Sequence, residues 1–420
     1  MTAVAYIANE FPSPVEPYVM DEAAELRRRG IEVICCSGKR VSPDGLSLAE
    51  RAFWKETHFL QPLTDDQLVR AAYRLASDRH NLWQLIRPLL LDPHASPSRR
   101  IRALGHTLMG AALADDLAPH QVQHVHAHHG YFASWMALVA ARLLGIGFSF
   151  TLHGSDLLRR ADLLGSKLHA CRFCVTVSDF NRRYILRNYA STPPEKITVQ
   201  RLGVDRILSW PNSSPPVTMD GRPFCLLAVG RLHPVKNYGF LIQACSLLRR
   251  QGFNFICWIA GKGPERSALE RQIAKLELQH HVQLVGQVPR AELVPFYRHA
   301  DLVVMTSQSE GIPVVLMEAM SHEKLVLAPA ITGIPELVDD RRTGFLYAPG
   351  SLTNFVSTVN WIFANQASLD EIRRAAAIKV ATSYNRQRNL RAFADDFLAR
   401  IPHFYGDYAH PLLQQVRLSV

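Results

Sequence analysis

Residues 122–154 read VQHVHAHHGYFASWMALVAARLLGIGFSFTLHG. Positions 122–128 and 147–154 are short runs rich in valine, phenylalanine and threonine, the composition of β-strands. Between them, FASWMALVAARLLG is apolar at most positions and ends in a glycine, as a buried helix with a glycine stop does. Two parallel strands need a crossover of a dozen or more residues, usually a helix, so strand–helix–strand predicts a parallel sheet.

The same rhythm extends in both directions. Upstream, 4–9 and 31–37 read as strands around a helix at 18–30, and a mostly helical excursion fills 65–117. Downstream come strands at 173–179 and 197–204, with a helix from Asn181 between them. SWPNSSPPVTMDGRP (209–223) is rich in serine, proline and asparagine, has no periodicity, and reads as a linker. A second series follows, with strands at 224–232, 253–261, 282–288, 302–307, 325–330 and 344–348. Helices lie between these strands, and further helical segments at 352–381 and 386–399 close the chain. The chain has 420 residues, too many for one ordinary core, so two domains of roughly 200 are expected. The predicted fold is α/β, with two Rossmann-like, doubly wound domains facing a central cleft. Residues 1–208 form the first domain, 209–223 the linker, 224–385 the second domain, and 386–420 a terminal helix and tail. Ligands of such sheets bind beyond the carboxyl ends of the strands.

Composition narrows the function. Hydrophobic residues make up 48% and charged residues 20%, as in a soluble globular enzyme. No secretory leader is visible, and the longest apolar stretch is broken by Arg142, Gly145 and Gly147, so no membrane span is expected. Seven cysteines fit a reducing cytoplasm; Cys171 and Cys174 form a CxxC without a second pair and read as buried strand residues. The net charge of +10 is compatible with nucleic acid, an anionic membrane surface or phosphorylated ligands. Nothing matches a nucleic-acid-binding motif, so nucleic acid is not expected as a partner. Residues 70–102 mix Trp83, Leu85, Ile86 and Leu89–Leu91 with arginines. They read either as a helix lying on acidic lipid or as amphipathic helices covering a core.

Neither GxxxxGK[ST] nor GxGxxG follows a strand, which disfavours P-loop ATPases and hydride chemistry. His124, His126 and His128 project to one face of a strand. No acid lies at ligand spacing, so they read as structural or acceptor-side residues rather than as a metal site.

SEGIPVVLMEAM (309–320) carries more chemistry. Pro313 suits the first turn of a helix, Gly311 permits close backbone approach, and the free amides of a helix start attract phosphate. Glu310 and Glu318 flank that start. A carboxylate beside phosphate is repelled, whereas one beside sugar hydroxyls grips them, so the arrangement suits a nucleotide-sugar. Arg231 and Lys236, in GRLHPVKN after a strand, supply cations for a diphosphate.

VGRLHPVKN, IAGKGPER, SEGIPVVLMEAM and GIPELVDDRRTGFLYAPG resemble the donor half of glycosyltransferase family 4, retaining enzymes of the GT-B fold. HGSD (153–156), VSDFNRR and LGVD resemble its acceptor half, and the likeness spans most of 1–385. The opening FPSPVEPYVMDEAAELRRRG is similar to exopolysaccharide and colanic-acid transferases. The resemblance implies that Arg231 and Lys236 hold the diphosphate, Glu310 the transferred sugar and Glu318 the ribose. It implies a donor pocket lined by Gly230, Gly261, Gly263, Gln287, Val288, Gly311, Ile312 and Pro313. His153 is implied at the reaction centre, with Asp156 beside it as a further donor-binding residue. No cofactor or metal is expected. The implied partners are a UDP- or GDP-hexose, a lipid-linked or polysaccharide acceptor, and an anionic inner-membrane surface. The implied location is the cytoplasm, peripheral to the membrane, with the last helix crossing back to the first domain. Glu323 and Leu325 stand where relatives carry glycine and proline, and Thr332 where they carry a glycine. Two rivals remain: a nucleotide-sugar epimerase of this fold and a non-catalytic nucleotide-sugar-binding protein.

Overall fold

A computed structural model describes residues 2–14, 16–91, 97–158, 162–205 and 222–401. The linker at 209–221 and the tail from 402 lie outside the described residues. The chain forms two compact units.

The first unit is built on a seven-stranded parallel sheet. Its strands are β1 (Ala3–Glu10), β2 (Glu32–Lys39), β3 (His58–Phe59), β4 (His124–His128), β5 (Gly147–Leu152), β6 (Phe173–Thr176) and β7 (Ile197–Val199). Their spatial order is β3-β2-β1-β4-β5-β6-β7. The order therefore reverses between β1 and β4, the switch point at which such sheets open a crevice. The crossover from β4 to β5 is the helix Phe132–Leu144, capped by Gly145 in the left-handed region. The long helix Pro97–Leu117 packs against it; a side chain at Gly110 would meet the Val139 Cβ at 2.6 Å, so only glycine permits this approach. Trp135 is buried there and its indole N–H donates to Thr107 Oγ1 at 2.9 Å.

The second unit has a six-stranded parallel sheet. It comprises β8 (Phe224–Val229), β9 (Phe255–Ala260), β10 (Val282–Gly286), β11 (Leu302–Val304), β12 (Leu325–Pro329) and β13 (Phe345–Tyr347), in the order β10-β9-β8-β11-β12-β13. Its switch point lies between β8 and β11. Central strands such as Leu302–Val304 are buried throughout, each large side chain contributing about 1.5–3 kcal/mol of burial.

The structure departs from the sequence reading at several points. The helix Leu48–Glu56 and the two-residue strand β3 were not foreseen, although Ser47 and Glu50 form a capping box. The segment 352–381 is two helices, Leu352–Asn365 and Asp370–Ser383, joined by a short turn. Residues 178–181 and 201–205 belong with the second unit rather than with the first. The Val204 amide donates to Tyr384 O at 2.9 Å and its side chain joins the core beneath the helix Val314–Ser321. The last described helix, Arg386–Arg400, is shared. From Leu390 onward it belongs to the first unit, where Phe393 and Phe397 pack with Val4, Tyr6 and Phe173.

Candidate active site

In the second unit, the chain leaving β8 turns through Gly230–Asn237 and the chain leaving β11 runs through 305–313 into the helix Val314–Ser321. These two segments meet at the switch point. Gln308 N–H donates to Val235 O at 2.8 Å, and Thr306 Oγ1 donates to Lys236 O at 2.9 Å. Lys236 Nζ reaches Glu310 Oε1 at 2.6 Å in a mostly buried ion pair. Arg231, on the same turn, is exposed. Burial first, then the Glu310 charge, pushes the Tyr238 hydroxyl upward, placing a third polar group against the pair. Gly230 leaves room for it: a Cβ there would lie 2.9 Å from Tyr238 Oη.

Glu318 projects from the second turn of its helix and is held from two sides. Arg290 Nε lies 2.6 Å from Oε1, and Tyr297 OH donates to Oε2 at 2.9 Å. Pro313 caps this helix with no side-chain hydrogen bond, so its first amides keep their donor capacity. Gly311, Ile312 and Pro313 are buried, and the nearby Ser307 and Ser309 hydroxyls are buried without a partner among the described residues. Gly261 and Gly263 let the loops after β8 and β9 touch. A Cβ at Gly261 would lie 1.9 Å from Gly230 O, and one at Gly263 would lie 2.3 Å from Leu232 O. Gln287 is exposed after β10, and Val288 is half-buried.

In the first unit, the ends of β4 and β5 gather His128, His129, His153 and Asp156 with Glu16 and Glu22, which flank or belong to the first helix, Pro17–Arg28. Asp156 is fully buried and accepts amides from Gly130 (2.9 Å), His153 (3.0 Å) and Gly154 (2.7 Å). Burial would raise its carboxyl, but the contact with His129 and these amides hold it well below the usual range. His129 lies 3.0 Å from Glu16 and 3.6 Å from Asp156. Burial works against its charge, yet the two carboxylates lift it to about 10. Lys167 Nζ is buried under this turn and donates to Gly130 O at 2.6 Å and Tyr131 O at 3.0 Å, fixing its path. His153 packs against Tyr18 with ring centroids 4.5 Å apart and planes tilted by 32°.

The sequence pattern described as Glycosyltransferase Family 4 matches residues 15–206, and that described as Glycosyl transferases group 1 matches residues 212–379. The chain is a glycosyltransferase of the group 1 and family 4 type. Among similar proteins, the amylovoran biosynthesis glycosyltransferase AmsK of Erwinia amylovora is 27% identical over 93% of this chain and 98% of its own length. The putative colanic acid biosynthesis glycosyltransferase WcaL of Escherichia coli K12 is 26% identical over 82% and 86%. The fold is that of Anabaena HepE, solved in complex with UDP-glucose, with a TM-score of 0.69 and 17% identity over 95% of this chain and 100% of that one. A glycosyltransferase from Rickettsia africae gives a TM-score of 0.66 at 18% identity over 96% and 99%. Both domains are therefore Rossmann-like, in the GT-B manner.

Against this glycosyltransferase's structure, the sequence-derived site divides in two. Arg231 and Lys236 follow β8, and Glu310, the segment Gly311 to Pro313 and Glu318 follow β11, the two strands at the switch point of the second unit. His153 and Asp156 belong to the first unit. One expectation is corrected: Asp156 was grouped with donor-binding residues, but its buried carboxylate faces the backbone of its own loop, so it shapes the His153 turn instead. A second correction concerns acids near the histidines. None was visible at sequence spacing, yet Glu22 lies 3.3 Å from His128 and Glu16 lies 3.0 Å from His129.

Glu22, His126 and His128 bring ligand atoms within 4.8 Å of one another. However, His126 already uses both ring nitrogens, at 2.8 Å from Ser149 and 2.9 Å from Thr151. That leaves two ligand atoms, fewer than the three protein ligands of a typical catalytic zinc site. Cys171 and Cys174 are buried free thiols, each donating to a different carbonyl. Sequence reasoning missed Arg290 and Tyr297, the partners of Glu318. Neither carries a spacing signal, because only folding brings them to that helix.

Proposed function

We propose that this glycosyltransferase transfers a hexose, with retention of anomeric configuration and without a metal, from a UDP- or GDP-sugar to an acceptor hydroxyl. The acceptor is a lipid-linked or polysaccharide intermediate in exopolysaccharide assembly. The observation that carries this reading is the Lys236–Glu310 pair at the switch point, 2.6 Å apart and mostly removed from water. A cation and an acid held together suit a ligand that presents phosphate and sugar hydroxyls side by side. Relatives described as amylovoran and colanic acid biosynthesis glycosyltransferases support the pathway class, and a structural relative holding UDP-glucose supports the donor class.

In this mechanism Arg231 and Lys236 bind the diphosphate and absorb the charge that develops as it leaves. Glu310 grips the hexose hydroxyls, Glu318 takes the ribose, and Gly261, Gly263, Gln287 and Val288 border the nucleoside. The departing phosphate oxygen accepts the proton of the incoming hydroxyl on the same face, which retains configuration. His153 hydrogen-bonds the sugar. Incubation with a panel of UDP- and GDP-sugars plus membrane lipid extract tests the proposal, with the anomeric proton of the product read by NMR. Transfer with retention, unaffected by EDTA, is the expected result. Epimer formation or binding without turnover would replace this function with one of its rivals.

The acceptor also bears on location. Among the described residues no helix is long and apolar enough to cross a membrane. The helices Asp65–Ser77 and Pro97–Leu117 nevertheless expose Val69 (68%), Tyr73 (76%) and Ile101 (70%) close to Arg70, Arg99 and Arg102. Apolar side chains interleaved with arginines favour the anionic inner face of the cytoplasmic membrane, where a lipid-linked acceptor resides. Leu85 and Leu89 point inward, so those positions cover the core.

A further inference from the structure

Three side chains of the first unit lie in a row. Glu22 Oε2 lies 3.3 Å from His128 Nε2, and among the described residues neither atom has a hydrogen-bond partner; His128 Nδ1 lies in hydrogen-bond contact with His153 Nε2 at 3.2 Å. All three are inside the protein or partly so, and His153 Nδ1, at the far end, is buried without a partner among the described residues. A neutral imidazole donates from one nitrogen and accepts at the other, so the protons along such a chain must all point the same way. An ionised Glu22 would accept from His128 Nε2–H, and His153 would then carry its proton on Nε2. A protonated Glu22 reverses every bond.

The surroundings select the second arrangement. Two buried carboxyls lie close together here, and they are treated differently. Asp156 accepts three backbone amides and shares the His129 cation with Glu16. Among the described residues Glu22 accepts no amide, and its one ion-pairing neighbour is His128. A buried carboxylate without amides or a cation is costly, so the group keeps its proton. Burial, and then the neighbouring Asp21, push the Glu22 carboxyl upward, whereas burial pulls His128 down to about 3. His126 does not compete, because Ser149 and Thr151 occupy its ring.

We propose that Glu22 is a positioning residue. As a neutral acid it donates to His128 Nε2, His128 Nδ1–H donates to His153 Nε2, and His153 is thereby held as the Nδ1–H tautomer. Its free end is then a hydrogen-bond donor, suited to an oxygen of sugar or phosphate and unable to act as a base. That use rests on the function proposed above; the tautomer itself does not.

Nitrogen-15 NMR of the full chain with labelled histidine reads the tautomer directly, with the His153 signals assigned by their loss in His153→Asn. Wild type should show His153 and His128 both protonated at Nδ1. Glu22→Gln, whose amide also donates, should keep that tautomer and keep kcat within about threefold. Glu22→Leu should shift His153 toward Nε2–H and lower kcat about tenfold, with UDP affinity unchanged. A wild-type His153 protonated at Nε2 would overturn the proposal, as would Glu22→Gln behaving like Glu22→Leu. Absence of transfer from every donor would refute the proposed function and leave the NMR result to judge the chain alone.

Discussion

Lys236 Nζ sits 2.6 Å from Glu310 Oε1 across 74 positions of sequence. The ammonium is thus aimed and partly neutralised by Glu310, and under the proposed function a diphosphate competes with that carboxylate for it. Glu310→Ala is expected to abolish transfer while leaving UDP or GDP affinity within about threefold, since the lysine remains. Lys236→Ala should weaken nucleotide binding about tenfold or more and depress transfer as well. Calorimetric titration beside a product assay separates the two, and full activity in either variant contradicts the assignment.

Glu318 depends on Tyr297 as well as on Arg290. Tyr297→Phe removes one of the two hydrogen bonds that hold the Glu318 carboxylate, the group proposed to take the ribose. Nucleotide affinity should fall about fivefold, and stability by about 1 kcal/mol. Titration with UDP and GDP and a denaturant series give the two numbers.

His129 makes the first unit sensitive to alkali. Its folded pKa, about 10, exceeds the ordinary histidine value of 6.5. Between those limits the folded state binds more protons than the unfolded chain. The stabilisation is therefore complete below about pH 6.5 and is lost as the pH rises through about 10. Tryptophan-monitored urea unfolding at intervals across that window should show wild type weakening with pH. His129→Gln should be less stable at pH 7 and flatter across the window.

Glu323 occupies the left-handed region, φ 55°, directly after the helix Val314–Ser321. Lys324 N–H bonds Ala319 O at 3.0 Å and Glu323 N–H bonds Met320 O at 3.0 Å, the closing pattern that favours glycine at this position. Glu323→Gly should stabilise the second unit by about 1 kcal/mol and raise its melting temperature by about 2–4 °C. Calorimetry is the measurement, and a lowered melting temperature would show that the glutamate side chain contributes more than its backbone costs.

The exposed apolar positions predict lipid contact. A Val69→Asp, Ile101→Asp double variant should co-sediment with phosphatidylserine vesicles several-fold less than wild type, with UDP affinity unaltered. Equal sedimentation would remove the membrane surface from the list of partners.

Periodicity showed the alternation of strands and helices, because a strand or helix buried on its inner face must repeat apolar residues at its own period. It failed at β3, two residues long, and at the break near Leu369, where no glycine or proline marks the turn. The segment SEGIPVVLMEAM disclosed Glu310, Pro313 and Glu318 because helix starts and acids are local signals. Residues that act through space left no such trace: Arg290 and Tyr297 on Glu318, Glu22 behind His128, and the inward turn of Asp156.

The sequence by itself determined two parallel α/β domains, their main elements and the acidic and basic residues at one helix start, since each follows from neighbours within a few turns of chain. Tertiary structure decided which of those groups pair, which are buried and which hold a proton. Burial and distance set those energies, and both are fixed only when segments far apart in sequence come together at the switch point of a sheet.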